Sequence, residues 1–199
     1  KKKESTNHIP YNSKKVDQYF KLANKFYDAI KYDSAFYYAN KTKLLIDPEK
    51  ELSKYTSTMF ILTMTQQLQG DYPGAQSTIV ETLSLIEKLK TQRYNFKFHS
   101  MLAYNLTTLQ EYDEALYYYN KALNLKKEKA RKIAIKINIG YIYIEKKDFN
   151  QALKIFQQLL NEVDSKKNKY YYSAILNNLG YCYFKLGKPD AIKYLNQSL

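Results

Sequence analysis

The sequence is poor in the residues that make tight turns, disulfides and metal sites. Its 199 residues include 5 Gly, 4 Pro, 1 Cys, 2 His and no Trp. So little Gly and Pro argues against an all-β fold, because the many tight turns of such a fold need both residues. A single Cys excludes an intramolecular disulfide framework. The sequence also lacks the run of about 18 apolar residues that a membrane-spanning helix requires.

Tyrosine and basic residues, by contrast, are abundant. The chain has 22 Tyr, is 45% hydrophobic and is 26% charged, a composition that argues against disorder. Lys and Arg number 32 against 19 Asp and Glu, which gives a formal net charge of +13. These figures predict a folded, helix-rich, basic protein of one or two domains.

The start of the chain is polar and lysine-rich, and residues 1–15 are predicted to form a flexible basic tail. The sequence begins without Met, so we expect a processed or trimmed product. A polar start of this kind is typical after a removed leader or lipid anchor. The compartment itself is left open.

One short pattern occurs five times along the chain. Its clearest copy covers residues 111–123 and reads EYDEALYYYNKAL. About ten residues before it lies a second pattern, seen best at residues 137–143 and 176–183. Each copy of the first pattern contains an alanine, and neighbouring alanines are 37 to 40 residues apart. These alanines are Ala35, Ala75, Ala115, Ala152 and Ala191.

The two patterns together resemble the tetratricopeptide repeat. In that family helix A reads roughly N-L-G-x-x-Y and helix B roughly Y-x-x-A-x-x-x-[YF]-x-x-A-L. The first two repeats depart from it, with Ala23 and Thr63 at the helix A glycine position. The resemblance implies an all-α right-handed superhelix, an α-solenoid of about five helix-turn-helix repeats in one domain over residues 16–199. The repeats are predicted at about 16–47, 48–90, 91–126, 127–164 and 165–199.

The small residues have a packing explanation of their own. The alanines let helix B approach helix A closely, and Gly140 and Gly180 serve the same contact from helix A. Large side chains are then expected to fill the space between consecutive hairpins. These are Tyr143, Phe156 and Tyr183.

Two local signals concern helix boundaries and type. Residues 47–49 read Asp-Pro-Glu, which predicts an N-cap followed by a first-turn proline and an acidic first turn.

From Ile133 to Tyr143 apolar residues alternate with period 2, a strand signature. We predict a helix there nevertheless, because Gly140 and Ala152 keep the register of the neighbouring repeats.

Candidates for catalysis are few. His8 lies in the tail, His99 takes an apolar helix A position as a packed histidine, and Cys182 is expected to be a small buried hydrophobe. The sequence contains no zinc-ligand spacing, Walker A loop, nucleophile elbow or Rossmann glycine run. We therefore expect no enzyme activity, no cofactor and no metal site.

Basic residues cluster where one repeat ends and the next begins. The clusters lie at residues 126–132, at 166–169, and at Lys88, Lys90, Arg93 and Lys97. Cations at helix C-termini complement the helix dipole, so a solvated edge is the favoured interpretation. Binding of nucleic acid is the weaker alternative, since no aromatic-interleaved recognition motif accompanies the charge.

The resemblance also implies a binding surface, because helix A lines the concave groove in such proteins. Tyrosines there would supply rigid contact area, and asparagine amides would bond the backbone of a peptide. The alternative is that the tyrosines wedge between neighbouring A helices and the asparagines merely match the repeat consensus. The candidate groove residues are Lys97, Met101, Tyr104, Asn138, Tyr141, Asn177, Asn178 and Tyr181.

One subgroup of the family is not matched. Its members grip the C-terminal carboxylate of chaperones with Lys, Arg and Asn on helix A, whereas Ser100, Ile137 and Asn177 stand at the corresponding positions here. We therefore expect no binding of chaperone C-terminal tails.

The sequence thus predicts a non-catalytic protein- or peptide-binding scaffold or sensing module. Leu199 falls within the last helix B without a polar capping helix, so the chain is expected to continue. Repeats of about 40 residues resemble those of bacterial regulators in which such repeats precede an effector domain, and this resemblance implies a larger regulatory protein. Two alternatives stay open. One is a basic solenoid that binds nucleic acid, and the other is a structural module that self-associates through the uncapped end near Leu195 and Leu199.

Overall fold

A computed structural model of the chain describes residues 13–125 and 129–198. All regular secondary structure within these residues is α-helical, which confirms the predicted all-α class. The helices follow one another as five A–B pairs of the kind that build an α-solenoid. They are α1 (Ser13–Asp28), α2 (Tyr32–Leu45), α3 (Leu52–Leu68), α4 (Tyr72–Lys88), α5 (Asn95–Thr108), α6 (Tyr112–Leu123), α7 (Lys129–Glu145), α8 (Phe149–Glu162), α9 (Lys169–Lys185) and α10 (Ala191–Gln197).

The alternating segment from Ile133 to Tyr143 lies within α7, so the helix prediction is confirmed there. Its isoleucines divide between buried and half-buried positions rather than between two faces of a strand. The repeat register therefore decides the structure of this segment over its local period of 2.

The described residues form two compact units, and the division falls inside α5, between Phe98 and His99. In the first unit α1, α2, α3 and α4 pack in chain order, and in the second unit α6 to α10 do the same. The organisation of residues 16–199 as one domain stays a prediction. Most of the predicted tail, residues 1–12, lies outside the described residues, as does Leu199.

The turn from helix A to helix B has the same form in every pair. One residue takes a positive φ, and the N–H groups of that residue and the next donate to carbonyls of the last turn of helix A. This is the Schellman arrangement, which normally places glycine at the left-handed position. Here only two of the five are glycine. The five residues are Ile30, Gly70, Gln110, Lys147 and Gly187.

The repeated alanines are buried, four of them completely, as their packing role requires. The helix A glycines complete that contact. A Cβ placed on Gly140 would lie 2.5 Å from Cζ of Phe156, and one on Gly180 would lie 2.6 Å from Cγ of Leu195. Phe156 therefore fills the space that Gly140 leaves within its own hairpin, rather than only the space between hairpins. It also belongs to a buried cluster that includes Ile175 of α9.

Helix B begins with a capping carboxylate in two of the pairs. Asp71 accepts a bond from the Gly74 N–H at 2.9 Å, and Asp148 accepts one from the Gln151 N–H at 3.0 Å. The predicted N-cap at Asp47 is wrong. Its Oδ1 accepts from backbone N–H groups two and three residues on, in a turn that precedes α3, because this repeat carries extra residues before helix A begins at Leu52.

The core of the first unit contains buried threonines as well as apolar side chains. Most of their hydroxyls donate to carbonyls one turn earlier in the same helix, whereas that of Thr78 on α4 donates to Oε1 of Gln66 on α3 at 2.8 Å. Thr63 bonds Met59 O and Thr65 bonds Ile61 O, each at 2.8 Å. Burial of these hydroxyls costs little, because each has a hydrogen-bond partner.

Candidate functional site

Three tyrosines at equivalent places on successive A helices point away from the core. Tyr104 of α5 is 51% exposed, Tyr141 of α7 is 46% exposed and Tyr181 of α9 is 40% exposed. A single exposed aromatic side chain is ordinary on a protein surface, whereas a contiguous set of them marks a candidate binding site. All three lie in the second unit and line pockets there.

The first of these pockets has a volume of about 440 Å³, and we call it the tyrosine pocket. It brings together residues of α5, of the α5–α6 turn, of α6 and of α7. Four of the lining side chains are tyrosines and one is a carboxylate. The lining consists of Tyr104, Thr107, Thr108, Gln110, Tyr112, Tyr119, Asn138, Tyr141 and Glu145.

The second pocket has a volume of about 300 Å³, and we call it the asparagine pocket. It is formed by α7, α9 and α10. Tyr141 and Glu145 line both pockets, so the two are neighbours along one surface of the second unit. The lining consists of Tyr141, Ile144, Glu145, Asn177, Asn178, Tyr181, Phe184 and Leu195.

A buried hydroxyl anchors the tyrosine pocket. Tyr119 of α6 is 1% exposed, and its hydroxyl accepts a bond of 3.1 Å from Nδ2 of Asn138 on α7. Burial raises the pKa of Tyr119 to about 12, while bonds with Asn138 and Thr107 act in the opposite direction. The hydroxyl is therefore neutral at physiological pH and holds two repeats together at the pocket.

At the ridge between the pockets, the Tyr141 hydroxyl bonds the carboxylate of Glu145, one turn further along α7. This bond is the main cause that raises the pKa of Tyr141, and partial burial adds to it. A phenol that donates to a carboxylate stays protonated, because the nearby negative charge disfavours its ionisation. Glu145 thus lines both pockets beside a neutral phenol.

The two asparagines of the asparagine pocket differ in their hydrogen bonds and exposure. Nδ2 of Asn178 donates to the Ala174 carbonyl of its own helix at 2.8 Å, and Asn177 is exposed. A side-chain amide has two N–H groups and one carbonyl, so one internal bond does not use its whole capacity. Both asparagines line the same pocket, as does Tyr181.

The structure thus places six of the eight predicted residues on the two pockets. The other two, Lys97 and Met101, are not among the described lining residues of either pocket. Nζ of Lys97 lies 3.4 Å from the centre of the Phe60 ring, in the first unit, and Met101 is half-buried in α5. The binding role of all eight residues stays a prediction.

Three important lining residues were not predicted. Tyr112 and Tyr119 belong to helix B, and the prediction considered helix A alone. Glu145 lies four residues after Tyr141, a spacing that puts both on one face of a helix, so the sequence did contain a signal for it.

The residues considered for catalysis are packed. The ring of His99 lies 5.9 Å from the Tyr118 ring, and the side chain of Cys182 is completely buried in the second unit. Burial raises the pKa of the Cys182 thiol to about 11. His8 lies outside the described residues.

Within the described ranges, no three His, Cys, Asp or Glu side chains form a group that could hold a metal, and no helix is both long and apolar enough to cross a membrane.

The basic clusters only partly follow the predicted dipole explanation. Lys88 ends α4 and pairs with Glu49 at 2.7 Å, as expected for a cation at a helix C-terminus. Arg131 and Lys132 instead stand in the first turn of α7, where the dipole disfavours cations, so the explanation is wrong for them. Residues 126–128 of the same cluster lie outside the described residues.

Comparison with known families identifies the repeat. Two family models, each described as tetratricopeptide repeat, match residues 96–129 and 131–199, which together make up more than half of the chain. A comparison with curated protein sequences finds no match.

Solved structures show the same fold at low sequence identity. The apo form of RapI has a TM-score of 0.82 at 16% identity over 96% of this chain and 69% of its own. TPR-like repeats from Podosopora anserina, described as those of a kinesin light chain, give 0.71 at 14% identity over 92% of each chain. YrrB, described as a TPR protein with an unusual peptide-binding site, gives 0.60 at 16% identity over 90% of this chain and 82% of its own.

Proposed function

The chain belongs to the tetratricopeptide repeat family, and we propose that it is a non-catalytic module that holds an extended segment of a partner protein across the tyrosine and asparagine pockets. The family fold is that of a protein-interaction scaffold, and its members are generally not catalysts. Beyond what the family fold implies, we propose which surface of this chain binds and what kind of partner it binds.

One observation carries the proposal. The last three A helices each present a half-exposed tyrosine at the same place, and the two pockets between them share Tyr141 and Glu145. A segment that enters one pocket can continue into the other without leaving the surface. Interface hot spots are rich in tyrosine, because its ring offers a large contact area at small entropic cost.

The size and chemistry of the pockets favour a peptide over a flat protein surface. Volumes of about 440 and 300 Å³ accommodate single side chains or short stretches of backbone. The amides of Asn177 and Asn178 offer both donors and acceptors to a backbone that runs past them. Of the relatives, YrrB is itself described as having a peptide-binding site.

The proposed context is a larger bacterial regulatory protein in which this module senses a partner. Repeats of about 40 residues resemble those that precede an effector domain in such regulators. This part of the proposal rests on the repeat length in the sequence.

The experiment is a selection from a phage-displayed random dodecapeptide library on the immobilised chain. Selected peptides are then synthesised, and their dissociation constants are measured for the wild type, Tyr141→Ala and Tyr117→Ala. Tyr117 is the matched control, because it is 55% exposed on helix α6 but belongs to neither pocket lining. Circular dichroism verifies that helicity is unchanged.

We expect Tyr141→Ala to weaken binding by about a hundredfold, the effect of removing a hot-spot aromatic, and Tyr117→Ala to leave it within about threefold. Peptides that bind Tyr141→Ala as tightly as the wild type would overturn the proposal. So would a selection that yields no binding peptide.

A further inference from the structure

The tyrosine pocket differs from the rest of this basic chain in its charge. Among its described lining residues Glu145 is the one charged group, although the chain carries a net charge of +13. Lys146, the next residue along the chain, pairs instead with Asp113 at 2.6 Å. The pocket is therefore locally suited to a cation.

The aromatic lining of the tyrosine pocket also favours a cation. Four tyrosines surround the space that Glu145 borders, and aromatic rings attract cations through their negative faces. The phenols of Tyr104 and Tyr112 are close enough to that of Tyr141 to influence its ionisation. The hydroxyl groups add neutral oxygen acceptors for N–H donors.

In the asparagine pocket, a lysine of this chain already lies near the aromatic rings. Nζ of Lys185 already lies 5.4 Å from the centre of the Tyr181 ring and 5.9 Å from that of Phe184. A positive group of a partner would meet a like charge there. Charge complementarity thus distinguishes the two pockets, even though they share Tyr141 and Glu145.

We propose that the tyrosine pocket receives an arginine side chain of the bound segment, an inference that rests on the proposed function. A guanidinium is planar, stacks on aromatic rings and can donate two parallel bonds to one carboxylate. It is also less strongly hydrated than the ammonium of lysine, so it enters a tyrosine-lined space at lower desolvation cost. The volume of about 440 Å³ accommodates the whole side chain.

The test uses the peptides from the library selection. In each peptide that depends on Tyr141, every arginine is replaced in turn by citrulline, which keeps the shape but removes the charge, and by lysine. The protein arm compares Glu145→Gln with Glu114→Gln, a carboxylate on the exposed side of α6 that lines neither pocket. Binding is measured by calorimetry at low and moderate salt.

We expect one arginine in each peptide whose change to citrulline weakens binding by about tenfold or more, and whose change to lysine weakens it less. Glu145→Gln should weaken binding of the arginine peptide by about tenfold more than it weakens binding of the citrulline peptide, while Glu114→Gln should change neither. This coupling between one arginine and Glu145 is the expected signature.

The results separate the two proposals. Peptides that depend on Tyr141 but tolerate citrulline, or that are enriched in acidic residues, overturn the arginine assignment and leave the peptide-binding function intact. Absence of any Tyr141-dependent peptide overturns both. An arginine effect that is equal in the wild type and in Glu145→Gln also contradicts the assignment.

Discussion

Nδ2 of Asn138 lies 3.1 Å from the Tyr119 hydroxyl, so α7 of one repeat is bonded to α6 of the repeat before it. Both groups line the tyrosine pocket. The bond therefore has two consequences: it holds neighbouring repeats in register, and it fixes one side of the candidate site.

Loss of this bond should lower stability. Asn138→Ala is expected to reduce the free energy of unfolding by about 1 kcal/mol, because a buried hydroxyl loses one partner. Urea denaturation of Asn138→Ala, Tyr119→Phe and the double variant should give a coupling energy of about 0.5–1.5 kcal/mol. Asn178→Ala is the matched control, since its bond stays within one helix and should show no coupling to Tyr119. A coupling near zero would mean that the contact does not contribute.

The close packing of Phe156 on Gly140 gives a second prediction. Gly140→Ala places a methyl group 2.5 Å from Cζ of Phe156, so it should destabilise the chain by about 1–3 kcal/mol. In a Phe156→Leu background the same change should become neutral or stabilising, because alanine is the better helix former. Urea denaturation of the wild type, the two single variants and the double variant measures this reversal, and an equal effect in both backgrounds would contradict the packing account.

Much of this fold was predictable because it repeats. The alanine spacing located five helix pairs, and the register of Gly140 with Ala152 correctly predicted a helix where the period-2 pattern indicated a strand. The wrong N-cap at Asp47 shows the limit: an Asx turn and a helix start use the same residues, and only the tertiary position of α3 separates them.

The candidate site was predicted less completely. Exposed positions on helix A follow from the repeat pattern, so Tyr104, Tyr141 and Tyr181 could be named in advance. Tyr112 could not, because its place at the pocket depends on how α6 packs beside α7. Pocket boundaries arise from such contacts between helices, which the periodicity of one helix does not specify.

The A-to-B turns give a third prediction. Ile30 has φ 60°, a conformation that is costly for a β-branched residue, whereas Gly70 adopts φ 79° at the same place in the next pair. Ile30→Gly should raise the free energy of unfolding by about 1 kcal/mol, and Gly70→Ala should lower it by about the same amount. Thermal and urea denaturation should show opposite shifts. Shifts of the same sign would contradict the role of backbone conformation.

His99 predicts a pH dependence of stability. Its pKa lies below the ordinary value of 6.5, mainly because of burial and secondly because of the nearby positive charge of Lys121. The unfolded chain therefore binds a proton at a pH where the folded chain does not, so stability falls as the pH drops below 6.5 and levels off below the folded-state pKa.

His99→Phe keeps a ring against Tyr118 but removes this titration. The loss of stability between about pH 7.5 and about pH 5.5 should therefore be smaller in the variant than in the wild type. Urea midpoints at the two pH values provide the measurement. Identical losses in the two proteins would show that His99 does not contribute.

The central claim, that a peptide lies across the two pockets, is tested most directly by NMR mapping. ¹⁵N-labelled protein is titrated with a peptide from the library selection, and amide shifts are followed residue by residue. The account predicts that the largest changes lie around Tyr104, Tyr141 and Tyr181, on the A helices of the second unit. Changes centred instead on the helix B surface around Tyr117, or on the basic residues near Arg131, would contradict it.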